Sequence, residues 1–134
     1  MSEQGQRIEV VTDQDVVRVR QLVRTLAVAV KLSLVDQTKI VTAASELARN
    51  TLVYGGGGWV EATSVDNGRR KGIRIVFADQ GPGIADLDLA FTDGYTTGGG
   101  LGLGLSGARR LVDEFDIVTA VGEGTTITVT KWCR

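Results

Sequence analysis

Fifteen of the 18 glycines in this 134-residue chain lie between Gly55 and Gly107. Glycine weakens helix and strand interiors and favours turns, so this stretch has to be short elements separated by sharp punctuation. The punctuation falls at Gly55-Gly56-Gly57-Gly58, at Gly81 and Gly83, and from Gly98 to Gly107. Between the first two, Trp59 to Val65 alternates as a strand. Asp66-Asn67-Gly68 then signals a hairpin turn, and Gly72 to Asp79 returns with Ile73, Ile75 and Phe77.

The flanks are regular. Arg7 to Thr12 reads as a strand, with Ile8 and Val10 alternating against polar neighbours. Thr12 with Asp15 and Ser33 with Asp36 look like helix N-terminal caps. The first opens a helix with apolar spacing from Val16 to Val30. The second opens one from about Leu34 to Tyr54, with a core stripe of Ile40, Ala44, Leu47, Ala48 and Leu52, stopped by the four glycines. Gln80 to Leu101 is a long glycine-rich loop of the kind that serves as a functional lid or a linker. A helix is expected from Leu103 to Glu114. A terminal hairpin, Asp116–Ala120 with Thr125–Trp132, turns at Gly122-Glu123-Gly124. Two local hairpins and surplus strands argue for one α+β domain over residues 1–134, a two-layer sandwich of a mixed β-sheet with helices on one face. The other sheet face is left to water or a partner, and Trp59 and Trp132 suit either packing at sheet ends or a partner face.

Composition removes several chemistries. There is no histidine, so neither a Ser-His-Asp triad nor a Cys-His pair can form, and one cysteine, Cys133, cannot supply a CxxC zinc motif. Lys and Arg number 15 against 16 Asp and Glu, without the basic excess of a nucleic-acid binder. The start of the chain has no secretory pattern and no apolar run approaches a membrane span of roughly 20 residues, which leads us to expect a cytoplasmic protein without membrane partners.

Three motifs carry the chemistry. In Ser45-Glu46-Leu47-Ala48-Arg49-Asn50, Glu46 and Asn50 project about 40° apart on one helix face, away from the core stripe. A carboxylate and a carboxamide there suit a base and a Mg²⁺ ligand, and equally a solvated helix face. In Asp79-Gln80-Gly81-Pro82-Gly83, an acceptor ends an apolar strand beside glycines that let a flat ligand approach, although an Asp-Gly turn has the same residues. In Gly98-Gly99-Gly100-Leu101-Gly102-Leu103-Gly104-Leu105, glycine amides precede a helix, a phosphate-binding arrangement with leucines as anchors. The GxGxxG match at Gly102 to Gly107 is not a dinucleotide fingerprint, because no hydrophobic strand precedes it.

Together and in this order the motifs resemble the GHKL ATP-binding family of gyrase, Hsp90, histidine kinases and MutL, over nearly the whole chain. Within it the chain looks closest to the small bacterial anti-sigma/serine-kinase branch, in particular the RsbT-type kinases of the stressosome. The resemblance implies ATP and Mg²⁺ as cofactors, with Glu46 as general base and Asn50 as the Mg²⁺ ligand. It implies Asp79 as the adenine-binding acid with Gly81 and Gly83 as its turn. Gly98, Gly99, Gly100, Leu101, Gly102, Leu103 and Gly104 would form the phosphate lid, and Thr125 would support the adenine site. It further implies phosphorylation of Ser or Thr on STAS-domain proteins, followed by activation of a PP2C-type phosphatase. The alternative is an anti-sigma factor that binds a sigma factor in a nucleotide-dependent way. One departure stands out: no Lys or Arg occurs from Ile75 to Ala108. Phosphate charge would then lean on Mg²⁺ and backbone amides unless Arg49 or Arg109 turns inward, so slow intrinsic turnover is expected.

Overall fold

A computed structural model of the chain describes residues 5–84 and 104–134. Its elements are β1 (Gln6–Val10), α1 (Asp13–Ala29), α2 (Leu34–Val53), β2 (Gly58–Asp66), β3 (Lys71–Asp79), α3 (Gly104–Arg110), β4 (Glu114–Ala120) and β5 (Gly124–Trp132). Among the described residues no helix is long and apolar enough to cross a membrane.

Both caps read from the sequence form. The Asp15 carboxylate accepts from the backbone amides of Val11 and Thr12 at 2.9 and 3.0 Å, and these bonds hold it below the usual carboxylate range. The Ser33 hydroxyl accepts from the Asp36 amide at 3.1 Å. Between the helices, Lys31 takes the left-handed conformation (φ 68°) while the Leu32 amide reaches back to the Ala27 carbonyl, a Schellman closure built without glycine. At the far end of α2 the amides of Tyr54 and Gly55 share the Asn50 carbonyl, and Gly56 and Gly57 (φ 72° and 105°) reverse the chain.

Five strands form one sheet in the order β1-β2-β3-β5-β4. The α+β two-layer architecture is as expected, and the expected mixed sheet sharpens into one whose four neighbouring pairs are all antiparallel. The physical reason lies in the connections. Two antiparallel helices between β1 and β2 return the chain reversed, and hairpins reverse the pairs β2–β3 and β4–β5. β3 and β4 do run parallel, but β5 is inserted between them.

The register lines up inward residues in rows. Ile8, Val60, Phe77, Ile127 and Ile117 stand side by side across the sheet, and Ala62, Ile75, Val129 and Phe115 form the next row. These rows meet Val16, Val19 and Val23 of α1 and Ile40, Ala44, Leu47 and Ala48 of α2 in one core. α2 packs against both α1 and α3. The other sheet face is solvated, with Val118 66% exposed. Both tryptophans are half-buried on it: Arg7 stacks 3.8 Å over the Trp59 ring, and Trp132 Nε1 donates to Glu114 at 2.6 Å.

The third helix departs from the expected Leu103–Glu114. It ends at Arg110, and Glu114 already belongs to β4. The turn between them is held from outside. The Asp113 amide donates to the Thr130 carbonyl at 3.0 Å, and its carboxylate accepts from the Trp132 amide at 2.8 Å. The Leu111 amide still closes a last turn on the Ala108 carbonyl at 3.1 Å, and at Asp113 the tertiary bonds take over from the helical ones.

Candidate functional site

One row of the register holds Val10, Gly58, Asp79, Thr125 and Thr119, the last inward row at that end of the sheet. Asp79 continues the inward phase of Ile73, Ile75 and Phe77, so strand alternation turns a carboxylate toward the helix layer where the core runs out. The Gly81 amide donates to Asp79 Oδ1 at 2.9 Å, and the Thr125 amide also bonds to the carboxylate. Burial pushes the Asp79 carboxyl above its usual 3.8, and these two amides pull it part of the way back. No cation contributes to its environment among the described residues.

Glycines crowd this carboxylate. A Cβ at Gly55 would strike Cβ and Cγ of Asp79 and lie 2.6 Å from the Thr51 carbonyl. One at Gly81 would lie 2.7 Å from the Gly55 Cα and 3.1 Å from Asp79 Oδ1. One at Gly124 (φ 84°) would run into the Asp79 carbonyl. The four-glycine run after α2 is therefore more than a helix stop, because Gly55 seats the helix end directly on Asp79. Gly83 (φ 76°) packs on the Ala120 carbonyl, and the Gly122 amide donates to the Pro82 carbonyl at 2.8 Å, so the β4–β5 hairpin braces the 80–84 turn.

Glu46 and Asn50 are half-buried on α2, between the buried stripe and full exposure. Asn50 stands one turn before Gly55. Glu46 lies a further turn back, about 6 Å along the axis at a rise of 1.5 Å per residue. Arg49 is half-buried beside Asn50, and Arg109 lies in the last turn of α3. Gly104 opens α3 with a left-handed backbone (φ 65°). The rest of the expected lid, Gly98, Gly99, Gly100, Leu101, Gly102 and Leu103, lies outside the described residues. The structure thus brings together Asp79, Gly81, Thr125 and the C-terminal turn of α2.

One participant escapes sequence reasoning. Thr119 Oγ1 lies 2.9 Å from the Ile84 amide, 3.1 Å from the Gly124 carbonyl and 2.9 Å from Thr125 Oγ1. The signal available was weak: a polar residue in the inward phase of β4, after Phe115 and Ile117.

A rigid, half-buried acceptor fits the exocyclic amine of a base, and a side chain at Gly55 or Gly81 would run into the Asp79 carboxylate or the backbone that holds it. For a divalent cation, no cluster of three or more His, Cys, Asp or Glu exists among the described residues. A single carboxamide oxygen from Asn50 suits Mg²⁺, which keeps most of its waters and takes phosphate oxygens.

Residues 35–133 match the family described as histidine kinase-, DNA gyrase B-, and HSP90-like ATPase. Over 127 residues the chain is 45% identical to serine/threonine-protein kinase RsbT of Bacillus subtilis (strain 168), spanning 95% of this chain and 96% of that one. Among solved structures, the RsbU and RsbW domains of Rv1364c from Mycobacterium tuberculosis match with a TM-score of 0.66 at 24% identity. That match covers 98% of this chain but 33% of the longer one, and at this identity it shows a shared fold alone.

Proposed function

The chain belongs to the family of histidine kinase-, DNA gyrase B- and HSP90-like ATPases, and from that premise we propose that it is an ATP- and Mg²⁺-dependent serine/threonine protein kinase. The observation that carries this reading is the near full-length 45% identity to a serine/threonine-protein kinase, with Glu46 present one turn before Asn50.

In this reading Asp79 accepts from the adenine amine, with Gly81 and Gly83 forming the turn beside it and Gly55 seating the end of α2 on it. Asn50 holds Mg²⁺, which supplies charge neutralisation at the phosphates when bound. Glu46 takes the proton from the substrate hydroxyl as that oxygen attacks the γ-phosphorus, and ADP departs. General-base catalysis of this kind contributes about 10²- to 10⁴-fold. Gly98 to Gly104 would cover the phosphates with backbone amides. From the family resemblance we extend the proposal to STAS-domain substrates, to subsequent activation of a PP2C-type phosphatase, and to a cytoplasmic role in stress signalling.

The test is phosphotransfer from labelled ATP to a STAS-domain protein encoded beside this chain. Glu46→Gln is expected to lower the rate at least a hundredfold while ADP affinity stays within a few-fold. Unchanged phosphotransfer would remove Glu46 from the role of base. With no Lys or Arg between Ile75 and Ala108, hydrolysis without a partner is expected to be slow, and rapid turnover by the isolated chain would contradict that.

A further inference from the structure

The geometry points to Thr119 as a positioning residue that sets the base specificity of the nucleotide site by dictating where the Thr125 hydroxyl proton goes. The inference rests on the ATP-site reading above and concerns a residue on the far side of Thr125 from Asp79, in the strand order β3-β5-β4.

The direction of each hydrogen bond follows from counting protons. An amide N–H can only donate, a carbonyl can only accept, and a hydroxyl owns one proton and two lone pairs. Thr119 Oγ1 accepts from the Ile84 amide at 2.9 Å and reaches the Gly124 carbonyl at 3.1 Å. All three contacts of Thr119 Oγ1 are satisfied together only when its single proton goes to that carbonyl. The remaining contact, to Thr125 Oγ1 at 2.9 Å, is made with the Thr125 proton. Thr119 is then saturated, and Thr125 has spent its proton away from β3. What Thr125 has left is lone pairs.

Thr125 stands directly opposite Asp79 in the β3–β5 pairing, on the same face, and its amide bonds to the Asp79 carboxylate. The site thus offers two neighbouring acceptors and, from these side chains, no donor. A base edge with an exocyclic amine carries two N–H groups and satisfies both. A base with a carbonyl at that position would set oxygen against two acceptors, and unpaired polar groups of this kind give the strongest discrimination a binding site can achieve. Without Thr119 the Thr125 hydroxyl is free to rotate and donate, and the penalty on a carbonyl is relieved.

The test measures ADP and IDP binding to the full chain by titration calorimetry, since the base of IDP has a carbonyl where adenine has its amine. Thr119→Val removes the hydroxyl and keeps the shape, and Thr119→Ser keeps the hydroxyl. The ADP:IDP affinity ratio is expected to fall about tenfold in Thr119→Val and to stay at the wild-type value in Thr119→Ser. A wild-type ratio in a folded Thr119→Val, or a lowered one in Thr119→Ser, overturns the inference. Thr125→Val gives an independent reading should Thr119→Val not fold. Loss of an acceptor-only group weakens ADP more than IDP, and equal weakening of both overturns the inference. Failure of the wild-type chain to bind ADP at all overturns the ATP-site reading and this inference with it. Tight ADP binding with a variant ratio unchanged overturns this inference alone.

Discussion

The inner face of the sheet carries an ionisable side chain at each end, and the protein treats the two in opposite ways. β5 enters this face at Thr125, opposite Asp79, and leaves it at Lys131, about 20 Å away at 3.3 Å per residue. Lys131 is 3% exposed, with its ammonium 3.6 Å from Asp36 and 3.7 Å from Asp113. Asp113 also takes Arg134 at 2.6 Å and the Trp132 amide at 2.8 Å. Every charge there is answered from within the chain, and the result is a latch joining the start of α2, the turn before β4 and the end of β5. Among the described residues Asp79 is answered by two amides, and its carboxyl is pushed up by burial. A buried charge completed by the fold is structural, whereas the half-buried Asp79 carboxylate, with no cation beside it among the described residues, is the one that the proposed function assigns to a ligand. The two ends should therefore fail differently when altered.

Breaking the latch should have the largest effect. Lys131→Ala leaves two carboxylates without their shared cation, and removal of one partner from a buried ion pair costs about 3–5 kcal/mol. Urea unfolding should show this loss, while ADP affinity of the folded protein stays within a few-fold. A comparable loss of ADP affinity would mean that the two ends are one unit. Asp79→Asn should do the reverse. Losing a charge-assisted acceptor should weaken ADP by about 1.5–3 kcal/mol, roughly 10- to 160-fold, with unfolding free energy unchanged or raised. A strongly destabilised Asn variant would show that Asp79 also serves the fold.

The difference between the ends also explains what the sequence disclosed. Asp79 was legible because it ends an unbroken inward alternation and is followed at once by Gly-Pro-Gly spacing, all within a few residues. Both helix caps and both hairpins were legible for the same local reason. The latch was not: Lys131 in a terminal strand suggests a solvated charge, and its partner Asp36 lies 95 positions away and doubles as a first-turn cap residue. The early end of α3 was hidden because Leu111 to Asp113 keep helical composition while the bonds of Asp113 go to β5. Gly55 was visible as a helix stop and invisible as the seat of Asp79, since that contact exists only once α2 and β3 are side by side.

That double role gives the next prediction. Gly55→Ala should overpack the Asp79 seat by about 1–3 kcal/mol, because the new methyl meets the Asp79 side chain and the Thr51 carbonyl with no flexible end to yield. ADP affinity should fall with stability in this variant alone, since Gly55 belongs to both the helix end and the site. An Ala variant that binds ADP like the wild type would break the claim that α2 is seated on Asp79.

The smallest expected effect is the dependence on pH, and its sign separates the two uses of a buried charge. Burial raises the folded Asp79 carboxyl above its usual 3.8, with the Gly81 and Thr125 amides opposing. The folded chain then holds this proton more tightly than the unfolded one, so ionised Asp79 detracts from stability at neutral pH. That penalty is lifted as pH falls through the folded value toward 3.8. With Asp79 as the proposed adenine acceptor in its ionised form, ADP affinity should decline over the same interval in which the Asp79 contribution to stability improves. The difference in Tm between the wild type and Asp79→Asn isolates this one group. It should favour the Asn variant at pH 7 and shrink toward pH 4, while the pH slope of ADP affinity disappears in the variant. A difference that stays flat, or grows on acidification, would mean that the fold already completes this charge as it completes Lys131.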